Sequence, residues 1–479
     1  MKYVLTLAIL CVLLSDSFAQ ASWPMVSFNR ERTSWIADPG AFAQPFQTKT
    51  VAFPEPVASL RQDVEHIAVV DGVVYCTLSE EPNYIVAYDY ETERILWYDS
   101  LPGSQASNGM CPIVTDDLVI AGAQTRGVLT TAFDRATGDV RWARDIYPLY
   151  ARSPVLDGDR IFARSDSIYC LDAATGNTIW SYPSAFTSQP GSPALNSKYV
   201  FYDENDSLWC RDKLTGELKW IVGETNFQGL SASETVVYCS TRRGVGAFDA
   251  ETGSELWRHE IPENTDVAYV LGNGLARTDD LLVYIVWINS QRIGAMRALD
   301  LSDGSLVWER DSDGTYIGPP TIVGDVIYST TIFPTGLLGI DLATGDSVYE
   351  NDSFQAMSQP VFADGKLFVP TNLPEGGFTV IGNDIVGVDD PSAASAFSLE
   401  VYPQPARFNL MIGYSLERSG LVALELYDLT GKVVTTQAQG YQIPGAYTAQ
   451  LATSAISPGV YIARLTAGKQ TAIQRVVIR

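Results

Sequence analysis

The sequence predicts an all-β protein, an eight-bladed β-propeller followed by a small β-sandwich, and three observations support this. A hairpin motif returns seven times between Asp89 and Tyr349, at intervals of 37 to 51 residues. Each copy follows two runs rich in Val, Ile and Tyr, which predict two further strands. Beyond residue 388 the repeat stops, and residues 397–479 contain seven Lys or Arg against four Asp or Glu in a chain of net charge −24. Four strands in every 40 to 50 residues are typical of a propeller blade.

The hairpin motif consists of an Asp, a Gly four residues later and a Trp eight residues after the Asp. The Gly supplies the positive φ that a tight hairpin turn requires, and the Trp needs a neighbouring blade to bury its indole. The first copy has Glu93 in place of the Gly, which predicts a less ideal turn, and the last has Tyr349 in place of the Trp. The five copies with all three residues are Asp134, Gly138 and Trp142; Asp172, Gly176 and Trp180; Asp212, Gly216 and Trp220; Asp249, Gly253 and Trp257; and Asp300, Gly304 and Trp308.

Residues 1–19 predict a secretory signal peptide. Lys2 is followed by an apolar stretch over residues 3–14 and by Ser-Phe-Ala at residues 17–19, a small-x-small cleavage site. The apolar stretch is too short for a spanning helix, and no later run is long and apolar enough to predict one. We therefore expect the mature chain to leave the cytoplasm.

Two strand-like segments have no partner within their own repeat. Residues 48–53 form an outer strand that no Asp-to-Gly turn precedes, and residues 359–384 supply inner strands that no Asp-to-Trp hairpin follows. These segments predict one shared blade, which closes a ring and removes its free sheet edges. We therefore expect eight blades within residues 20–388.

The pattern Ala-x-Asp-x-x-Thr-Gly-x-x-x-Trp at residues 132–142 and 247–257, with the opening Trp23-Pro-Met25, resembles the pyrroloquinoline-quinone-type repeat propellers. That superfamily includes quinoprotein dehydrogenases and non-catalytic scaffolds similar to outer-membrane assembly lipoproteins. The resemblance implies that a quinone-binding member stacks its cofactor on a disulfide between adjacent cysteines, beside Ca²⁺ and an Asp base. This chain has no adjacent cysteine pair. We assign no catalytic residue, no metal ligand and no cofactor, and the sequence leaves catalysis open.

Histidines and cysteines are few. His66 is expected at the start of an inner strand and His259 after Trp257, so a shared histidine-based triad or metal cluster is not predicted. Five cysteines follow the signal peptide, an odd number. Their positions on apolar strands predict small buried side chains rather than an essential disulfide.

Aromatic residues cluster in and beside the connections between blades, where a propeller often presents a ligand surface. Stacking of these rings against a sugar, a peptide or a flat ring is one interpretation, and ordinary loop packing is the other. The candidate ligand-binding residues are Tyr147, Tyr150, Tyr182, Phe186, Phe227, Tyr316 and Phe354.

Residues 389–396 are small, polar and unpatterned, which predicts a linker. Residues 397–479 then show seven short strands, with a hairpin turn at Asp428-Leu-Thr-Gly-Lys432, and predict a β-sandwich. Their motifs resemble the C-terminal sorting domain of type IX secretion, although Gln404 stands where Asn is usual, and a generic binding sandwich is the alternative. The motif residues are Tyr402, Pro403, Pro405, Gly431, Gly459 and Tyr461.

The sorting resemblance implies a Bacteroidetes-type bacterium, contact with the type IX machinery, and a chain that is secreted or attached to the cell surface. The acidic propeller is unsuited to nucleic acid or anionic membrane. We expect a non-catalytic scaffold that binds a protein or a glycan. The alternatives are an extracellular enzyme, either an oxidoreductase of quinoprotein type or a hydrolase or lyase, with its site at the channel mouth, and a passive spacer in a surface layer.

Overall fold

The chain divides into two compact units, Met1–Ile385 and Val386–Arg479, each with its own core. Within the described residues no helix is long and apolar enough to cross a membrane. The computed structural model describes residues 25, 27–29, 32–40, 42, 44, 46–60, 63–78, 82–101, 110–122, 130–144, 146, 153–164, 166–184, 191–223, 229–241, 244–261, 267–270, 275–288, 293–311, 319–332, 335–373, 376–383, 399–402, 406, 409–416, 420–428, 432–442, 445–453, 456–467 and 470–478.

Two short strands precede the repeats, β1 (Trp35–Ile36) and β2 (Gln47–Ala52), and a 3-10 helix follows at Val57–Leu60. The next four sheets each contain four consecutive strands. Blade 1 contains β3 (Val64–Val70), β4 (Val73–Leu78), β5 (Tyr84–Asp89) and β6 (Arg94–Ser100). Blade 2 contains β7 (Ile113–Val114), β8 (Leu118–Ala121), β9 (Thr130–Asp134) and β10 (Val140–Arg144). Blade 3 contains β11 (Val155–Asp157), β12 (Arg160–Arg164), β13 (Ser167–Asp172) and β14 (Thr178–Pro183). Blade 4 contains β15 (Ala194–Leu195), β16 (Tyr199–Glu204), β17 (Ser207–Asp212) and β18 (Leu218–Val222).

The remaining four blades include two exceptions, a divided inner strand in blade 6 and a short final blade. Blade 5 contains β19 (Leu230–Ala232), β20 (Val236–Thr241), β21 (Gly244–Asp249) and β22 (Glu255–Glu260). Blade 6 contains β23 (Val267–Val270), β24 (Ala276–Arg277), β25 (Leu281–Ile288), β26 (Ile293–Asp300) and β27 (Leu306–Asp311). Blade 7 contains β28 (Thr321–Val323), β29 (Val326–Ile332), β30 (Thr335–Asp341) and β31 (Ser347–Asn351). Blade 8 contains β32 (Val361–Ala363), β33 (Lys366–Pro370) and β34 (Gly377–Gly382).

The strand β2 completes blade 8, as the sequence predicts. It pairs antiparallel with β34 from Gln47 opposite Gly382 to Ala52 opposite Gly377. The core of this unit continues across the junction, because Val51 and Phe53 share one buried cluster with Val74 and Tyr88 of blade 1. The ring is therefore closed by a strand from the N-terminal part of the chain.

The strand β1 has a different position. It pairs in parallel with β28, the innermost strand of blade 7, with Trp35 opposite Ile322 and Ile36 opposite Val323. An added strand on that edge lies towards the propeller axis. No pattern in the sequence predicted this strand.

The second unit is the predicted sandwich of seven strands in two antiparallel sheets. One sheet has the order β35-β36-β39 and the other β38-β37-β40-β41. Leu410, Leu424 and Leu465 are among the buried residues between the sheets. The strands are β35 (Leu399–Tyr402), β36 (Asn409–Leu416), β37 (Gly420–Asp428), β38 (Val433–Gln442), β39 (Gly445–Ala452), β40 (Gly459–Ala467) and β41 (Gln470–Ile478).

Candidate functional site

The recurrent Asp residues close the hairpin turns. The carboxylate of Asp172 accepts hydrogen bonds from the backbone N–H of Thr175 at 2.8 Å and from its hydroxyl at 2.6 Å. The N–H of Gly176 donates to the Asp172 carbonyl at 2.8 Å, and the φ of Gly176 is +68°. Local bonds of this kind stabilise the turn at a conformation that glycine adopts without strain. The carboxylates of Asp134, Asp212, Asp249 and Asp341 accept the corresponding bond from the N–H three residues later, and that of Asp300 accepts the N–H of Ser302, two residues later.

The recurrent Trp residues connect each blade to the next. The indole N–H of Trp142 donates to the Ala173 carbonyl at 3.0 Å, and a Cβ added to Gly176 would lie 2.7 Å from two indole atoms. The Gly of each turn is therefore required both for its φ and for the close approach of the preceding blade. Six such bonds of 2.9–3.1 Å join blades 1 to 7: Trp97 to Arg135, Trp142 to Ala173, Trp180 to Lys213, Trp220 to Ala250, Trp257 to Leu301 and Trp308 to Leu342.

The interface between blade 8 and blade 1, which we name the closing interface, uses other residues. Lys49 pairs with Val380 in the register at which each Trp pairs with the third strand of its own blade. Its ammonium forms an ion pair with Glu93, whose backbone has a φ of +56° at the Gly position. Glu93 at the Gly position therefore does more than make the turn less ideal, because it forms an ion pair with Lys49, the residue at the Trp position of blade 8.

A cluster of aromatic rings joins blade 7 to blade 8. Tyr349, which stands at the Trp position, has its ring centroid 5.3 Å from that of Phe46. Phe46 stacks on Phe42 at 4.4 Å, and Phe42 lies edge-on to Phe362 at 5.0 Å. These rings come from the N-terminal residues and from two blades. The two interfaces beside blade 8 thus depart from the Trp-to-Gly contact.

The described residues between 25 and 40, namely 25, 27–29 and 32–40, contact the inner strands of several blades, and we name them the axial segment. Met25 accepts a hydrogen bond from the Leu156 N–H in blade 3, and the Arg32 guanidinium donates to the Ser192 carbonyl beside blade 4. The Thr33 carbonyl accepts the Arg277 N–H of blade 6, and the Ser34 carbonyl accepts the Ile322 N–H of blade 7. The Ser34 hydroxyl also accepts a hydrogen bond from the Gln359 side chain beside blade 8. These contacts place the axial segment at the centre of the ring.

A buried ion pair joins blades 3 and 4. The Arg164 guanidinium lies 3.0 Å from the Asp203 carboxylate, which also accepts the Gly191 N–H at 2.7 Å. Burial raises the pKa of Tyr202 to about 12, so its hydroxyl stays protonated while it accepts a bond from the Arg211 guanidinium at 2.8 Å. The Arg164–Asp203 pair therefore joins the two blades, whereas the bond from Arg211 to Tyr202 lies within blade 4.

The structure places two of the predicted ligand-binding aromatic residues. The Tyr182 ring lies 4.3 Å from the Arg211 guanidinium carbon and packs beside Trp180. Phe354 is 8% exposed and belongs to the buried cluster shared by blades 7, 8 and 1. Both rings contribute to packing, and their role in binding stays a prediction. Outside the described residues lie Tyr147, Tyr150, Phe186, Phe227 and Tyr316.

The described residues do not fit a bound quinone. The five cysteines after the signal peptide are free and buried at separate places, so they offer no disulfide platform. In the part of the chain that the structure describes, no three His, Cys, Asp or Glu side chains converge as metal ligands. His66 and His259 both have a pKa lowered mainly by burial. The axial segment also occupies the centre of the ring, and we derive no step through a quinone.

An open groove of about 560 Å³ lies beside the closing interface. Residues 54–56 (Pro-Glu-Pro), which follow β2, line one side, and residues 93–98, which include most of β6, line the other. We name it the interface groove. No sequence pattern predicted this groove, although Glu93, which departs from the hairpin motif, is one of its lining residues.

In the second unit the structure describes half of the sorting motif at the side-chain or backbone level. The Tyr461 hydroxyl donates to the Ser457 carbonyl at 2.7 Å, and a Cβ on Gly459 would lie 3.4 Å from the Tyr461 ring. Tyr402 ends β35 and pairs with Met411. The described contacts of these residues hold the fold of the sandwich. Pro403, Pro405 and Gly431 lie outside the described residues, as do the predicted signal peptide and linker.

Two family models match the chain. The model described as outer membrane protein assembly factor BamB matches residues 31–150, 125–242 and 241–390. The model described as secretion system C-terminal sorting domain matches residues 400–479. The second match supports the resemblance drawn from the sequence and indicates export through the type IX system to the cell surface or the medium.

Similar proteins agree with these matches. The outer membrane protein assembly factor BamB of Moranella endobia is 25% identical over 209 residues, or 38% of this chain and 53% of that protein. The chain thus spans about half the length of this curated relative. The structure of BamB from Moraxella catarrhalis is 16% identical with a TM-score of 0.54, and the match covers 72% of this chain and 99% of that protein. A quinohemoprotein alcohol dehydrogenase from Pseudomonas putida is 12% identical with a TM-score of 0.61, and the match covers 77% of this chain and 81% of that protein.

At these identities the two solved structures show the fold alone, a propeller that serves both assembly factors and dehydrogenases. The family matches extend over residues 31–390 and include every blade. The chain therefore belongs to the family of the outer membrane protein assembly factor BamB, and it carries a secretion system sorting domain at residues 400–479.

Proposed function

We propose that this protein is a non-catalytic binding propeller that acts outside the cell and recognises a macromolecular partner. The observation that carries the proposal is the axial segment. Its backbone carbonyls at Thr33, Ser34 and Ile36 accept hydrogen bonds from blades 6 and 7, so the centre of the ring is held by the chain itself. Binding is then left to the outer surfaces and to the connections between blades.

The outer strands favour a protein over a glycan as the partner. Four blades expose an aliphatic residue immediately before the recurrent Trp: Leu96, Ile179, Leu256 and Val307. Aliphatic side chains gain free energy when a protein surface removes them from water, whereas a sugar offers them little apolar area. Free strand edges also offer backbone groups that an extended peptide can pair with.

A catalytic role at the channel mouth is the second candidate, and the structural likeness to alcohol dehydrogenases is its only support. A substrate at the centre would have to displace the axial segment, including the buried bond from the Arg32 guanidinium to the Ser192 carbonyl. The described groups there are arginine, hydroxyl and amide side chains, with Arg32 bonded to the Ser192 carbonyl and Gln359 bonded to the Ser34 hydroxyl. This arrangement favours binding.

The test is saturable binding to cells. The fluorescently labelled chain, truncated after residue 388 so that the sorting domain contributes nothing, is titrated onto intact cells that lack the protein. We expect saturable binding that is lost when the cells are treated with protease and kept after periodate treatment; the reverse pattern would identify a glycan. Absence of saturable binding, combined with dye-coupled alcohol oxidation by the full chain given quinone and Ca²⁺, would refute the proposal.

A further inference from the structure

We propose that Asp364 is a pH-sensitive switch at the closing interface, where protonation of its carboxyl holds blade 8 more firmly to blade 1. The inference goes beyond the proposed function, because it concerns how the ring stays closed and not what the propeller binds. It follows from a contrast between two aspartates that occupy the same turn position in these two blades, Asp364 and Asp71.

Each of these aspartates begins a two-residue turn between the first and second strands of its blade. The turn Asp71-Gly72 joins β3 to β4 with φ of +52° and +72°, and the turn Asp364-Gly365 joins β32 to β33 with φ of +51° and +70°. Positive φ at both central residues is typical of the type I′ hairpin turn, in which Asn-Gly and Asp-Gly are preferred. The two aspartates therefore share one backbone conformation and differ in their surroundings.

The carboxylates of the two aspartates have opposite environments. The Asp71 side chain is 69% exposed and pairs with the Arg135 guanidinium at 2.6 Å. Both carboxylate oxygens of Asp364 are buried, and no donor among the described residues forms a hydrogen bond with either of them. A buried charge without a hydrogen-bonded partner raises the free energy of the folded state. The fold therefore disfavours the charged form of Asp364.

The groups of blade 1 that face Asp364 are acidic or neutral. Tyr90 packs edge-on against Phe368 of β33, with ring centroids 5.3 Å apart, which places the turn after β5 against blade 8. Burial, together with Glu91 and Asp364, raises the pKa of Tyr90 to about 12, so its phenol stays neutral while a carboxyl titrates. Burial also raises the pKa of Asp364, and the negative charges of Asp71 and Glu91 raise it further.

Two groups favour the charged form of Asp364, but neither forms a hydrogen bond with its carboxylate. The Lys366 ammonium donates to the Asp364 backbone carbonyl at 3.2 Å and lies 5.4 Å from the centroid of the Tyr90 ring. The Gly72 N–H acts on the carboxylate from outside hydrogen-bond geometry. Burial is the largest of these effects, so the pKa of Asp364 stays above its ordinary value of 3.8.

Two other interfaces have a cation at the position of Tyr90. The residue directly after the recurrent Asp is Arg135 in blade 2 and Lys213 in blade 4. Arg135 pairs with Asp71 of blade 1, and Lys213 pairs at 2.6 Å with Asp157 at the end of β11 in blade 3. At the closing interface the same position holds the neutral Tyr90. This substitution explains why the buried carboxylate of blade 8 has no cation of blade 1 to pair with among the described residues.

Acidification should strengthen the closing interface. A carboxyl whose pKa is higher in the folded chain than in the unfolded chain destabilises the fold at a pH where both states are charged. That destabilisation disappears as pH falls through the folded pKa towards 3.8. His66 and Asp134, whose pKa values are lowered, change stability in the opposite direction. The effect of Asp364 is therefore measured as a difference between variants at one pH.

The experiment compares Asp364→Asn with Asp71→Asn in the full chain, by urea denaturation at about pH 8 and about pH 4. Asn keeps the shape of Asp and suits the same type I′ turn, so both variants should fold. Asp71→Asn is the matched control, because it makes the same change at the same turn position where the side chain is exposed. Each urea midpoint is compared with that of the unmodified chain at the same pH.

We expect Asp364→Asn to raise the urea midpoint by about 0.3 M or more at about pH 8, and by at most about half as much at about pH 4. Asp71→Asn should lower the midpoint or leave it unchanged at about pH 8, because it removes the exposed ion pair with Arg135. Equal shifts in the two variants, or a gain in Asp364→Asn that is the same at both pH values, would overturn the inference.

Hydrogen exchange of backbone N–H groups locates the effect in the ring. At about pH 8, Asp364→Asn should slow exchange in β3 (Val64–Val70) and β33 (Lys366–Pro370) more than in β20 of blade 5 (Val236–Thr241). Equal slowing in blade 5 would assign the effect to global unfolding and would contradict a switch at the closing interface. Neither experiment measures binding, so failure of this inference leaves the proposed function standing.

Discussion

The contact between Trp and the next turn predicts that alanine at two glycines of blade 3 will have unequal effects. Gly158 and Gly176 both have positive φ, +60° and +68°. A Cβ at Gly158 would meet no atom within 4 Å, whereas a Cβ at Gly176 would lie 2.7 Å from Cδ2 and Cε3 of Trp142. Both substitutions thus impose the same backbone strain, and only one forces an indole to move.

The structure sets the expected magnitudes. Alanine in the left-handed region costs about 1–2 kcal/mol, which is the whole effect expected for Gly158→Ala. Gly176→Ala adds the cost of overpacking, about 1–3 kcal/mol, because the indole of Trp142 is also held by its bond to the Ala173 carbonyl. We expect the free energy of unfolding to fall by about 2–5 kcal/mol in Gly176→Ala.

The assay is urea denaturation of the full chain, together with hydrogen exchange of the Trp142 indole N–H. Exchange of this proton should accelerate in Gly176→Ala and stay unchanged in Gly158→Ala. Trp142→Leu in the Gly176→Ala background should remove most of the overpacking cost, so the two substitutions should not be additive. If Gly158→Ala and Gly176→Ala cost the same within about 0.5 kcal/mol, the Trp-to-Gly contact does not stabilise the blades as argued.

Three further predictions follow from the same contacts. Lys49→Trp and Glu93→Gly should each lower the free energy of unfolding, measured by urea denaturation, because each breaks the ion pair of the closing interface. The double variant should lose about 1–2 kcal/mol less than the sum of the two single losses, and additive losses would contradict the pairing. Burial lowers the pKa of His66 to about 4, so the stabilisation that the neutral imidazole gives above pH 6.5 should be lost as pH falls towards 4. In a plot of melting temperature against pH, His66→Gln should flatten that region. The Arg141 guanidinium, with the Thr137 and Ala136 N–H groups, lowers the pKa of Asp134 to about 2, so its stabilisation should be lost between pH 3.8 and about 2, a loss that Asp134→Asn should lack.

The sequence predicted the blades because the hairpin motif repeats a local rule. Asp, Gly and Trp recur at fixed offsets, and the turn that they form depends on hydrogen bonds within six residues, as at Asp172 and Gly176. The shared blade was also predictable, because residues 48–53 form an outer strand without inner strands and residues 359–384 form inner strands without an outer strand, so the two segments complete each other. These inferences required no knowledge of distant contacts.

The closing interface and the axial segment could not be predicted in the same way. Lys49 contacts Glu93, and Arg32 contacts Ser192, across separations of 44 and 160 residues, and neither contact recurs among the residues that the structure describes in the other blades. A single Lys in a short strand and a single Arg in an irregular segment have no periodic pattern. The departure at Glu93 was visible, but its partner became evident only when β2 was placed in register with β34.

The same distinction explains why the repeat indicates the fold and not the ligand. Each recurrent Asp, Gly and Trp already closes a turn or contacts the next blade, so the fold by itself explains why these residues recur. In the described part of this chain, Glu93, which stands at the Gly position of the first copy and pairs with Lys49, also lines the interface groove. For a propeller of this type, the residues that break the motif are therefore the more informative ones for function.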